Sequence, residues 1–248
     1  GKRGRKVILL DHAKKIGEKI RISGGGRCNF TNIYTNNKNF ISSNPSFMIS
    51  ALNQYTYKDF INLIKKHKIK FHEKKLGQLF CDESAQQVID MLKLECSKAN
   101  VILKSDISIE SVDKSEIFYV KTKRITYQSK SLVIATGGLS IPKIGASKFG
   151  YEVAKYFGLN IIETLPALVP LTFNQDILEK CKKLSGLSVE AKVSFSKTLF
   201  EEGMLFTHRG LSGPSILQIS SYWKLGKNIK INLSPYQNIF NYLQEKKE

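Results

Sequence analysis

The residues Ser23-Gly24-Gly25-Gly26-Arg27-Cys28-Asn29-Phe30-Thr31-Asn32 form the stretch best suited to chemistry. Three successive glycines remove every side chain, so backbone N–H groups can turn toward an anion and the chain can lie flat against a planar ring. Arg27 adds a fixed cation for a pyrophosphate or a carboxylate. Asn29, Thr31 and Asn32 add uncharged hydrogen-bonding groups. A flexible surface loop is the plain alternative, but such loops rarely join a glycine triplet to so dense a polar cluster.

Three further places complete the set. Asp11 ends the apolar run Val7-Ile8-Leu9-Leu10. A carboxylate after a buried strand accepts hydrogen bonds from a ribose hydroxyl in a dinucleotide-binding βαβ unit, though it can equally cap the next loop. The glycine fingerprint of such a unit lies about 20 residues earlier, which puts it upstream of residue 1. Thr136-Gly137-Gly138 follows a second apolar run, where ligands approach the carboxyl ends of parallel strands; a plain tight turn is the alternative. Phe206-Thr207-His208-Arg209-Gly210-Leu211-Ser212-Gly213-Pro214 joins an imidazole and a guanidinium to glycines at an expected helix start. His208 and Arg209 are therefore the catalytic candidates, with a hydrogen-bonded structural histidine as the other reading of His208.

The elements that must position these groups are readable from periodicity. Residues 7–10 predict a strand buried on both faces, as in a parallel sheet. The basic stretch before it suggests a helix end and a glycine turn, and residues 17–32 read as a loop without regular structure. Thr56 caps a predicted helix with Phe60, Leu63, Ile64 and His67 on one face. A hairpin through Phe71 to Phe80 turns near Leu76-Gly77, and Ser84 caps a second helix with Val88, Met91, Leu92, Glu95 and Cys96 on its inner stripe. Strands are expected at 101–103, 107–112, 117–122 and 132–135, then a helix over 150–157 ended by Gly158. Beyond Pro166 and Pro170 the texture turns to β segments at 189–195 and 198–205, and a polar helix is expected over 235–248.

The chain has 248 residues and a formal charge of +18, with 39 Lys and Arg against 21 Asp and Glu. That balance suggests a polyanionic partner, yet the lysines are scattered in pairs among Asn and Ile, as a low-GC genome writes onto solvated surfaces. Nucleic acid is therefore not expected as the partner. Cys28, Cys81, Cys96 and Cys181 form no Cys-x-x-Cys pair, which suits a reducing cytoplasm. His12, His67, His72 and His208 show no metal-ligand spacing with them, so no metal is expected. No apolar run approaches the roughly 20 residues that span a bilayer, so no membrane role is expected.

The motif text resembles a known family, the bacterial NAD(P)/FAD-dependent oxidoreductases of aminoacetone-oxidase-like type within the glutathione-reductase-like superfamily. The shared stretches are 23–32, Gly77-Gln78-Leu79-Phe80, Leu132 to Ser140, and Phe206 to Pro214. The resemblance implies an α/β fold with a glutathione-reductase-like, Rossmann-type FAD-binding domain over 1–167, incomplete at both ends. A truncated, β-rich second domain over 168–248 would be inserted into it. It further implies that Asp11 meets the adenosine ribose, that Lys19, Ser23, Gly24, Gly25, Gly26, Arg27, Cys28 and Asn29 lie along FAD, that Thr136, Gly137 and Gly138 return to it, and that Ile107 packs near the adenine. Glu18 and Arg21 depart from the family's usual basic and apolar residues.

The function expected is a cytoplasmic FAD enzyme moving hydride or electrons to or from a small organic substrate, with NAD(P)H as a candidate donor. A disulfide-reductase subtype is disfavoured, since Cys28 has no second cysteine near it in sequence. An RNA-associated, tRNA-modifying flavoprotein and an inactive gene fragment are the alternatives. A chain lacking the first strand and its glycine fingerprint is expected to bind FAD negligibly.

Overall fold

The structure is a computed structural model, and it describes residues 1–246. The chain divides into two compact units, the first spanning Gly1–Ile161 and the second beginning at Ile162.

The first unit contains β1 (Val7–Leu10), α1 (Glu18–Ile22), β2 (Asn29–Asn32), α2 (Ile49–Gln54), α3 (Tyr57–Lys66), β3 (Phe71–Glu73), β4 (Gln78–Cys81) and α4 (Ala85–Lys98). Then come β5 (Val101–Lys104), β6 (Ile109–Lys114), β7 (Phe118–Thr122), β8 (Thr126–Ser129) and α5 (Phe149–Tyr156). β1 and β5 pair in parallel, with Val7 opposite Val101 and Leu10 opposite Lys104. β2, β4 and β3 make an antiparallel sheet in that order, and β6, β7 and β8 make a meander.

Both long helices begin where the sequence places a cap. The Thr56 hydroxyl accepts from the Asp59 N–H while the Asp59 carboxylate accepts from the Thr56 N–H, closing a capping box at α3. Ser84 accepts from the Gln86 N–H at α4. Their inner stripes meet under the three-stranded sheet, burying Ile64, Ile69, Ala85, Val88 and Met91 with Cys28 and Cys81. Ile64 is fully buried, so truncating it to Ala costs about 2–5 kcal/mol. A separate cluster of Val112, Val120 and Val153 joins the meander to α5.

Several expectations are corrected. Residues 17–32 are ordered as α1, a tight turn and β2. Glycine-rich composition obscured this because tertiary contacts decide it: Ile20 packs on the Ile64 cluster and β2 pairs with β4. Arg21 bonds Glu18 at 3.1 Å and also Gln86, tying α1 to α4. β1 is not buried on both faces, since Val7, Ile8 and Leu9 are 36%, 46% and 39% exposed; among the described residues it is paired along one edge alone. Residues 132–135 form no strand and pair with no described strand, and Val133 is left 82% exposed. Residues 1–6 hold a turn, closed by the Gly4 N–H on the Gly1 carbonyl at 2.8 Å, with no helix end. The polar β8 was not anticipated.

The second unit is built on an antiparallel sheet in the order β13 (Lys230–Asn232), β10 (Ser188–Phe195), β11 (Thr198–Thr207), β12 (Gly210–Ser212) and β9 (Leu171–Thr172). Helix α6 (Gln175–Cys181) follows β9, and α7 (Pro214–Ser220) buries Ile216 and Ile219 against the sheet. Helix α8 (Ile239–Glu245) covers part of the expected 235–248 helix, whose last two residues lie outside those described.

Glu95 links α4 to α3 and to the chain's start, accepting from Lys2 at 2.6 Å and lying 2.8 Å from His67 Nε2 and 3.7 Å from Lys66. The hydrogen bonds from Lys2 and His67 pull its carboxyl down to about 2 from an ordinary 4.5. A carboxyl depressed by folding stabilises above its unfolded value and loses that contribution as pH falls through its folded one. Acid melts should therefore show falling stability between about pH 4.5 and 2, and Glu95→Gln should flatten that limb while lowering the melting temperature at neutral pH.

Candidate functional site

At the carboxyl ends of the parallel pair, the chain folds back on itself around Asp11. Its N–H donates to the Lys104 carbonyl at 2.9 Å, and its carbonyl accepts from the Ile107 N–H at 3.0 Å. Asp11 and Ile107 are thus brought side by side. The carboxylate Oδ1 accepts from the Ala13 N–H at 2.8 Å, so one oxygen closes a local turn, and Oδ2 keeps no partner among the described residues. Gly145, at φ 93°, lies so close to His12 that an added Cβ would collide with its Nε2.

The glycine triplet occupies the left-handed region throughout, at φ 60°, 66° and 85°. Each glycine does a different job. At Gly24 a Cβ would sit 2.7 Å from both the Phe80 ring and the Asn29 nitrogen, so this glycine admits close packing. At Gly25 and Gly26 a Cβ would meet nothing within 4 Å, so their side is open. The Ser23 carbonyl accepts from the Cys28 N–H at 3.0 Å, and the Ser23 hydroxyl bonds the Ile20 carbonyl at 2.8 Å. Arg27 and Asn29 are exposed, and neither side chain has a partner among the described residues.

Lys19 reaches from α1 to the Ser140 hydroxyl at 3.1 Å, joining the triplet's own helix to the stretch after Thr136-Gly137-Gly138. Gly137 is left-handed at φ 73° and also open, while Gly138 and Gly150 admit Tyr151 and Thr136 respectively at about 3 Å. The first turn of α5 therefore packs directly on this return segment. Gly145 and Tyr151 were not singled out from the sequence, and His12 and Ser140 were named there without a place in the site. Their only signal is the spatial return of a distant segment, which spacing does not carry.

Cys28 and Cys81 share one buried cluster although they are far apart in sequence. Burial raises both thiols, Cys81 to about 11, with the neighbouring Cys28 adding to the effect there. Neither is a nucleophilic thiolate at neutral pH. His208 and Arg209 sit in the second unit, in the turn between β11 and β12, where the Thr207 hydroxyl accepts from the Arg209 and Gly210 N–H groups at 3.3 and 3.1 Å. The imidazole is exposed and has no partner to orient it among the described residues, so neither a structural nor a catalytic hydrogen bond holds it. Among the described residues no cluster of His, Cys, Asp and Glu could hold a metal, and no helix is long and apolar enough to cross a membrane.

A parallel strand pair, an acidic residue at its carboxyl end and glycine turns gathered beside it define an α/β domain of Rossmann type. The chain belongs to the family described as HI0933-like protein Rossmann domain, whose model matches residues 1–222. It is 49% identical over 249 residues to the ribosomal RNA dihydrouridine synthase of Escherichia coli (strain K12), covering 100% of this chain and 62% of that protein. It is 42% identical over 254 residues to the protein of the same name from Haemophilus influenzae, covering 100% of this chain and 63% of the relative. The chain thus spans less than two thirds of the length of these two relatives. A more distant relative is the 3-dehydro-bile acid delta(4,6)-reductase of Clostridium scindens, 25% identical over 223 residues, 87% of this chain and 54% of that protein.

The family resemblance drawn from the motifs holds at the level of the Rossmann domain, while these relatives carry enzyme names other than aminoacetone oxidase. One expectation is overturned. Nucleic acid was set aside as a partner, and the two relatives that match the whole chain are named for ribosomal RNA. The lysines were discounted as low-GC surface composition, and linear spacing does not report where folding places them.

The glycines offer a direct test of the local geometry. Gly24→Ala must displace the Phe80 ring and should lower the melting temperature sharply, whereas Gly25→Ala bears only the left-handed backbone cost of roughly 1–2 kcal/mol. Thermal melts of the two variants that coincide would contradict the packing described.

Proposed function

We propose that this protein is an FAD-dependent reductase that saturates a uridine of ribosomal RNA to dihydrouridine. The observation that carries the reading is the 49% and 42% identity, along the entire chain, to two enzymes of that name. Support for the cofactor comes from the open space beside Gly25, Gly26 and Gly137, in the same unit as Asp11, whose Oδ2 has no partner among the described residues.

In this reading Asp11 accepts hydrogen bonds from the adenosine ribose, and Ile107 covers the adenine. Lys19 and the residues Ser23, Gly24, Gly25, Gly26, Arg27, Cys28 and Asn29 border the pyrophosphate and ring, and Thr136, Gly137 and Gly138 close the other side. Arg27, exposed and unpaired, contributes the cation. A bound flavin would supply the hydride that, with one proton, saturates the C5=C6 double bond of uracil, NAD(P)H being oxidised to restore the reduced flavin. The protein's own part is to bind, orient and exclude water. The small organic substrate gives way to an RNA base, and the +18 charge suits a polyanion. A ribosomal RNA substrate places the work in the cytoplasm.

The test uses the full-length protein. It should purify with flavin absorbance and, given NAD(P)H, convert uridine in ribosomal RNA from a strain lacking the gene into dihydrouridine, read as the gain of two hydrogens by nucleoside mass spectrometry. Gly25→Asn keeps a residue that tolerates the left-handed region while filling the open side. It should weaken flavin retention by roughly tenfold or more, about 1.4 kcal/mol, with little change in the apoprotein melt. A folded, flavin-free wild type, or flavin content unaffected by Gly25→Asn, would overturn the cofactor site; flavin present without dihydrouridine would overturn the substrate.

A further inference from the structure

The segment from Lys65 to Lys75 carries six lysines in eleven residues, and it runs from the end of α3 through the edge strand β3 of the first unit. Lys65 and Lys66 end α3, Lys68 forms the turn after it, and Lys70 and Lys74 flank the edge strand β3. Phe71 faces the buried cluster, where its ring meets Phe30 edge-on at 5.5 Å. Lys70, His72 and Lys74 therefore share the opposite face.

That face leads to the glycine triplet. His72 stands directly opposite Phe80, and Phe80 directly opposite Asn29, so the three make one row across the sheet. His72 stacks on the Phe80 ring at 6.3 Å, Lys74 Nζ lies 5.4 Å from that ring's centroid, and Gly24 packs against the ring's edge. Basic ridge and cofactor loop thus share Phe80 as a common wall.

We propose that Lys65, Lys68, Lys70 and Lys74 form a track for the phosphate backbone of an RNA strand, leading its target base to the triple-glycine loop. This rests on the RNA-reducing reading above and specifies where the RNA lies. A base reduced by an enclosed cofactor must leave its stack, and the flanking phosphates then need a fixed positive surface beside the site. Two ordinary explanations cover only part of the ridge. The dipole at the end of α3 favours cations there but does not reach the strand residues Lys70 and Lys74. Lysines on an edge strand discourage aggregation, which accounts for neither Lys65 nor Lys68. Lys65, Lys68 and Lys70 have no acidic partner among the described residues, and Lys68 holds a left-handed backbone at φ 57°, where glycine is favoured. The carboxylate on this surface, Asp82, is 2.7 Å from His72.

The experiment titrates a labelled transcript of a ribosomal RNA stem-loop with the full-length protein over a range of salt. The ridge variant Lys65→Gln/Lys68→Gly/Lys70→Gln leaves Lys74 and Phe80 in place and relieves the Lys68 backbone. Its control is Lys121→Gln/Lys123→Gln/Lys130→Gln, an equal loss of charge in and beside the β7–β8 hairpin. The ridge variant should bind at least tenfold more weakly at about 0.1 M salt, and its slope of log Kd against log salt should fall by about two, at roughly 0.7 to 0.9 per phosphate contact. Flavin absorbance and melting temperature should match wild type, and the control should keep most of its affinity. Wild-type slope in the ridge variant, an equal loss in the control, a change confined to aggregation, or no RNA binding by wild type would each overturn the track. Absence of flavin from a protein that still binds RNA through the ridge would instead count against the cofactor reading alone.

Discussion

The contact of Gly24 with the Phe80 ring is the constraint on which the rest of the first unit depends. Because the glycine has no Cβ, the turn after α1 can press against the ring and the chain can enter β2 in register with β4. That pairing places Cys28 in the core beside Cys81 and leaves Arg27 and Asn29 outside. The left-handed run needed to make the turn then exposes the backbone of Gly25 and Gly26 on an open side. A single steric requirement thereby sets both the packed wall and the cradle next to it.

Electrostatics divides the same unit into regions of different character. The Glu95 side chain is only 11% exposed and gathers Lys2, Lys66 and His67, so these side chains serve the joint between α3, α4 and the start of the chain. Lys65, Lys68 and Lys70 of the neighbouring segment have no such acceptor among the described residues. The thiols of Cys28 and Cys81 are held protonated by burial, which makes them filler for the core.

The second unit shows the more common economy of an antiparallel sheet covered by a helix. Gly213 at φ 91° lets the start of α7 approach β11 so closely that a Cβ would lie 2.7 Å from the Gly203 carbonyl. Ser215, fully buried, donates to that same carbonyl at 3.1 Å. The residues Gly210, Gly213 and Pro214, which made the 206–214 motif look like a pocket, are thus used in chain packing, while His208 and Arg209 project from the hairpin turn.

Local signals were enough for elements whose caps and stripes are contiguous in sequence. Thr56 and Ser84 announce α3 and α4, Leu76-Gly77 announces the hairpin, and the alternation of residues 189–195 announces β10, because each depends on neighbours within a few residues. The motif text also carried the family as far as its Rossmann domain. What sequence could not determine was every feature made by distant pairing. The order of residues 17–32 comes from α4 and β4, residues 132–135 pair with no described strand, and the closeness of Lys19 to Ser140 comes from a chain return of more than a hundred residues. The basic ridge is the same case. The Lys74-Lys75 pair was visible in sequence, but only the pleat of β3 and the row from His72 through Phe80 to Asn29 bring Lys74 to the ring that borders Gly24, because a strand's two faces are chosen by its core.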